Sequence, residues 1–200
     1  MKATVNDPSA ELRPGAAEFA DLSQGGQTIP IYREILADTD TPVSAYMKLR
    51  AQSDYTFLFE SVEGGQRAAR YSFLGIRPTR IFRSRRQQVT IEDRVEGSTQ
   101  TFEADPRQAL RQMMAPYMAA PQPGLPPFTG GAVGYLAYDG IRLVEDIPET
   151  ATDDLGLDDM VFALYETVIA FDNLRHTILI IANARRRDGQ SAADAYADAA

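Results

Sequence analysis

The residues best equipped for chemistry lie in LFESVEGGQRAARYSFLG, Leu58 to Gly75. Glu60 and Ser61 follow Tyr55, Phe57, Leu58 and Phe59, and the next loop carries Arg67 and Arg70. The aromatic and aliphatic run predicts a buried strand, where an ionised carboxylate is costly unless paired. Two pairings meet that demand: a salt bridge to Arg67 or Arg70, or a cation brought by a ligand. A free amino acid suits the same set. The carboxylate would take its ammonium, a guanidinium its carboxylate, and the hydroxyl would fix its orientation.

Other chemistry-bearing residues read as structure. GGAVG, Gly130 to Gly134, is followed by Tyr-Leu-Ala-Tyr with no Gly-Lys-Ser/Thr, so it reads as close backbone packing in a strand and not as a phosphate loop. His176 is the one histidine, and no acidic or cysteine partner stands at ligand spacing from it. It reads as a strand-end histidine, and no Gly-x-Ser-x-Gly elbow exists to pair with it. Asp153, Asp154, Asp158 and Asp159 lack the spaced oxygens and terminal glutamate of a calcium loop and read as a solvated approach to a strand. Arg83, Arg85 and Arg86, like Arg185 to Arg187, read as solvated rims. No catalytic residue and no metal ligand is assigned in this chain.

The elements that must hold these residues follow from pattern. A polar lead covers 1–27, with a short helix over Ala16 to Leu22 whose Phe19 and Leu22 dock on a core. Residues 28–200 form one domain. TIPIYREIL alternates as a strand, and Thr41-Pro42 opens a helix to about Arg50 with Val43, Tyr46, Met47 and Arg50 at helical spacing. Strands are predicted over Tyr55–Val62, Arg70–Ile76, Arg80–Arg85, Gln88–Glu92 and Ser98–Phe102. Asp105-Pro106 caps a helix running through Leu110, Met113, Met114 and Tyr117, stopped by PQPGLPP. A glycine-rich strand and a short helix near Asp139 to Val144 come next. VFALYETVIAF and HTILIIANA, joined at Asp172-Asn173, predict a long hairpin apolar on both faces, central to a sheet covered on both sides. Ser191 and Asp194 open a last helix with only Tyr196 to bury, and the chain reads as cut off within it.

Composition narrows the partners. With 28 acidic and 20 basic residues among 200, the net charge of −8 disfavours nucleic acid and anionic membranes. Cysteine is absent, which excludes disulfides and thiolate metal sites. No apolar run reaches the roughly 18 residues of a membrane span, and the first residues lack a secretory core. The expected location is the cytoplasm.

Four segments in order, IPIYREILADTDTPVSAYMKL, FLFESVEGGQRAARYSFLG, FTGGAVGYLAYDGIRLVEDIP and DDMVFALYETVIAFDN, together resemble the N-terminal portion of the anthranilate synthase component I family of chorismate-utilising enzymes. The resemblance covers Ile29 to Asn173. It implies an α+β fold, mainly antiparallel sheet with flanking helices, the first part of a layered α/β/β/α arrangement. It also implies a pocket for L-tryptophan as feedback inhibitor, with Glu60 and Ser61 matching a Leu-Leu-Glu-Ser segment and Arg70 facing the ligand. Phe59 replaces the second leucine. The parent activity implied is chorismate plus glutamine-derived ammonia giving anthranilate and pyruvate, with Mg2+ and a glutamine amidotransferase subunit, component II. The magnesium ligands and the chorismate-binding groups belong to the family's C-terminal part, absent here, which makes this stretch regulatory and inactive alone. The open alternatives are a portion of aminodeoxychorismate synthase component I and a non-catalytic amino-acid-binding module.

Overall fold

The computed structural model describes residues 11–25, 27–60, 70–119, 122–148, 150 and 152–200. They divide into two compact units. The first draws on 1–77, 116–131 and 166–200, and the second on 78–115 and 132–165.

The first unit is organised by β1 (Ile29–Leu36), β2 (Thr56–Phe59), β3 (Tyr71–Ile76), β9 (Thr167–Asp172) and β10 (Thr177–Ala184). All pair antiparallel in the order β1-β10-β9-β3-β2. The hairpin predicted around Asp172-Asn173 is present, and its strands are central. Ala170, Leu179 and Ile181 are buried on one face and Phe171 and Ile178 on the other. Its first arm is shorter than the apolar run suggests. Glu166 breaks that run, so that Met160–Tyr165 forms β8 in the other sheet while β9 starts at Thr167. The Glu166 carbonyl at the break accepts the Asn183 amide at 2.8 Å.

Among the described residues three α-helices accompany this sheet. α1 (Ala16–Leu22) has the predicted bounds, and Phe19 is fully buried with Ile29, Ile31 and Ala184, whereas Leu22 is left outside. α2 (Pro42–Leu49) starts on a reciprocal capping box between Thr41 and Ser44. None of its residues is buried, and Val43 and Met47 face solvent, so helical spacing of apolar residues here did not mean a covered stripe. Call the next helix of this unit α4 (Ala192–Ala199), since α3 (Pro106–Met114) precedes it in the second unit. Ser191 caps α4. It buries Ala195 as well as packing Tyr196, whose ring lies 5.5 Å from that of Phe19 and whose hydroxyl donates to the Pro14 carbonyl at 3.2 Å.

The second unit holds β4 (Arg80–Arg85), β5 (Gln88–Asp93), β6 (Ser98–Glu103), β7 (Gly131–Leu136) and β8, in the order β6-β5-β4-β8-β7. The core packs Phe82, Val89 and Met160 with Ala109 and Met113 of α3. Asp105 accepts the amides of Arg107 and Gln108 as the cap of α3, which gives way to a 3-10 turn over Ala115–Tyr117. The glycine-rich run behaves as its sequence suggests. Gly134 lies in β7, and a Cβ there would stand 1.8 Å from the Val161 carbonyl oxygen, so only glycine permits this approach.

Two antiparallel sheets with flanking helices make the fold α+β, as expected. Among the described residues no helix is long and apolar enough to cross a membrane.

Candidate functional site

Glu60 and Arg70 occupy the same end of the β2–β3 pair, because Phe59 stands opposite Phe73 in register and each charged residue lies just beyond. Ser61 and Arg67 fall in 61–69, outside the described residues. The premise of a buried strand needs correction. Among the described residues β2 is the outermost strand of its sheet and has a strand neighbour on one flank only, and within it only Phe57 is buried. Phe59 is 54% exposed and Glu60 faces solvent. No desolvation penalty therefore compels Glu60 to pair, and among the described residues it has no ion-pair partner.

Arg70 is committed elsewhere than to Glu60. Its Nε donates to both carboxylate oxygens of Asp172 at 3.1 Å and its Nη2 to Oδ2 at 2.6 Å. Asp172 is 2% exposed. The same carboxylate accepts the amides of Leu174 and Arg175 at 3.1 and 3.2 Å, closing the β9–β10 turn. Burial pushes the Asp172 carboxyl up, but the Arg70 fork and the two amides outweigh it and hold the group below its ordinary value. Arg70 is raised by the same bond. The Tyr71 phenol is raised chiefly by burial and then by the nearby Asp172 carboxylate.

One face of this corner is aromatic. Strand alternation puts Phe57 and Phe59 on the side of Tyr71 and Phe73. Rings of Phe57 and Phe59 lie 5.0 Å apart, those of Tyr71 and Phe73 6.0 Å, and Phe128 stands edge-on to Phe73 at 5.5 Å. The Arg70 guanidinium carbon sits 4.7 Å from the Tyr71 ring centre. An exposed carboxylate, a guanidinium and an incompletely covered aromatic surface thus share one sheet corner. That set can recognise a zwitterion bearing an aromatic side chain.

Asp172 was visible in the sequence only as half of a turn dipeptide. Its partner is 102 residues away, and no local pattern announces such a pairing. The remaining candidates keep structural roles. Asp153 pairs with Arg85, Asp159 accepts the Arg86 amide at 2.6 Å, and Asp158 lies 4.0 Å from Arg83. The acidic run and the arginine rim, read separately from sequence, neutralise one another. His176 is exposed at a strand end with φ of 54°. Arg185 is not a plain rim residue, since its guanidinium lies 5.1 Å from the Tyr117 ring centre. Among the described residues no group of three metal-ligating side chains gathers.

No protein-family profile matches the chain. Curated relatives do. Anthranilate synthase component 1 of Acinetobacter calcoaceticus is 41% identical over 184 residues, which is 87% of this chain and 36% of that protein. The protein of the same name from Acetivibrio thermocellus is 36% identical over 170 residues, 85% of this chain and 34% of the relative. Among solved structures, anthranilate synthase component I from Streptococcus pneumoniae TIGR4 is 26% identical, with a TM-score of 0.49, over 82% of this chain and 35% of that one. The chain spans about a third of the length of the curated relatives it matches. By sequence it is similar to anthranilate synthase component 1 proteins over a stretch corresponding to about a third of such a protein.

Proposed function

We propose that this chain is the regulatory and scaffold part of an anthranilate synthase component 1, the enzyme that converts chorismate and glutamine-derived ammonia to anthranilate and pyruvate beside an amidotransferase subunit. The observation that carries the proposal is the 41% identity over 87% of the chain. On this reading L-tryptophan binds at the β2–β3 corner as feedback inhibitor. Glu60 takes its ammonium, Ser61 orients it, Arg70 meets its carboxylate, and the aromatic face receives the indole. The described residues do not fit the magnesium ion that the resemblance implies, because the acidic run is spent on Arg83, Arg85 and the Arg86 amide. On the same reading, magnesium binding and chorismate chemistry belong to the rest of the parent protein.

The test is paired, on the complete synthase containing this chain. Ser61→Phe should fill ligand space and desensitise the enzyme, and Glu60→Ala should raise the tryptophan inhibition constant about ten-fold or more through loss of a charge-assisted contact. Melting temperature is measured on the same variants. Variants that melt early yet keep full tryptophan sensitivity would refute the regulatory role and leave a structural one. The isolated chain is expected to make no anthranilate with ammonia or glutamine, and magnesium-dependent product from purified chain would overturn that.

A further inference from the structure

Arg70 precedes β3, and strand alternation run back from Ser72 would aim its side chain at the Ser72–Leu74 side of the sheet. The guanidinium is instead on the aromatic side. The register explains how: Asp172 of β9 stands opposite Tyr71, hence on the face of Tyr71, Phe73 and Phe59. Its carboxylate grips Nε and Nη2, and the cation is drawn over the Tyr71 ring. Among the described residues Nη1 makes no bond, and the Arg70 side chain keeps 30% of its surface exposed. One edge of the guanidinium, Nε with Nη2, is fixed by Asp172 and the end carrying Nη1 remains to be used.

We propose that Asp172 is a positioning residue for ligand recognition: it orients the Arg70 guanidinium so that the remaining nitrogen receives the carboxylate of an aromatic amino acid at the β2–β3 corner. The inference rests on the reading that this corner binds tryptophan. Asp172 touches no ligand itself. It acts by fixing the face and the orientation of a group that does, which removes the cost of ordering a long side chain at binding. The two amides on the same carboxylate anchor Asp172 in turn, so the arrangement is rigid from the β9–β10 turn outward.

A ligand pair separates this role from simple stabilisation. L-Tryptophan carries the carboxylate that Arg70 would meet, and L-tryptophanamide carries a neutral amide in its place. Dissociation constants of both are measured by calorimetry on the complete synthase for the parent, Asp172→Asn, Arg70→Met and Ser61→Phe. Asp172→Asn keeps the acceptor used by Leu174 and Arg175 but loses the charge. Its expected result is about ten-fold weaker tryptophan binding with the amide's affinity unchanged. Arg70→Met is expected to show the same ligand-selective loss, and the double variant no more than either single one. Equal loss for both ligands, or none for either, in Asp172→Asn overturns the positioning role. Should that variant not fold, Asp172→Glu takes its place: it keeps the charge but displaces the fork on Arg70, and the same ligand pair decides by the same criterion. Ser61→Phe separates the two levels. If it binds both ligands normally, the tryptophan site itself is wrong and the inference falls with it. If it loses both while Asp172→Asn and Arg70→Met still discriminate as the parent does, only the positioning role fails.

Discussion

Asp172 and Asp153 are built alike and weigh very differently. Each accepts backbone amides from residues just after it, Leu174 and Arg175 in one case and Gly156 in the other, and each binds an arginine. Asp172 is 2% exposed and its arginine 30%, whereas Asp153 and Arg85 are each 50% exposed. Water screens the second pair and leaves the first with no alternative partner. The same two residue types therefore form a structural clamp in the first sheet and a solvated surface contact in the second. Their bonds alone would make them equal, and burial is what separates them.

The largest break in that comparison is Asp172→Ala, which strips Arg70 and two turn amides of their acceptor at once. An expected loss of about 3 kcal/mol lowers the melting temperature by about 6 to 12 °C for a chain of this size. A shift under about 2 °C would mean that the pair is not a clamp. Acid titration sharpens the contrast by a smaller amount. The Asp172 carboxyl is held below its ordinary 3.8 in the folded protein, so its contribution is full above that value and is lost as pH falls through the folded value. Melting temperature should therefore drop more steeply below pH 4 in the parent than in Asp172→Asn. Asp105, pulled down to about 2 by Arg107 and then by the helix amides, loses its contribution between about pH 4 and 2 in both proteins. Parallel curves for the two would remove Asp172 from the acid response. The smallest effect is expected from Asp153→Ala, within about 2 °C of the parent melt and vanishing in high salt. A larger shift would show that the exposed pair is worth more than its exposure allows.

Much of this molecule is readable from local pattern. Thr41-Pro42 and Asp105-Pro106 cap helices where written, the Arg80–Arg85, Gln88 and Ser98 strands begin where predicted, and Gly134 sits where a backbone approaches. These are signals within a few residues of one another, carried by side-chain oxygens, fixed φ angles and a period of two. Where local pattern misled, a neighbour far along the chain had the deciding vote. Tyr55 to Phe59 read as a buried strand, but strand order places β2 at an edge and leaves Phe59 half open. Val161 to Phe171 read as one strand, but pairing with β4 takes its first half and pairing with β3 and β10 its second.

For the candidate site, the sequence by itself determined the residue types: an acid, a hydroxyl and arginines between Phe59 and Tyr71, enough to suggest a zwitterionic ligand. Only the tertiary structure decided that Arg70 is held by Asp172, 102 residues away, and on which face of the sheet its charge appears. The physical reason is that an arginine's reach is long and its rotamers many, so its own position in the chain leaves its direction open. A buried carboxylate supplied by strand register closes that choice, and register is set by the pairing of whole strands, not by the residues adjoining the arginine.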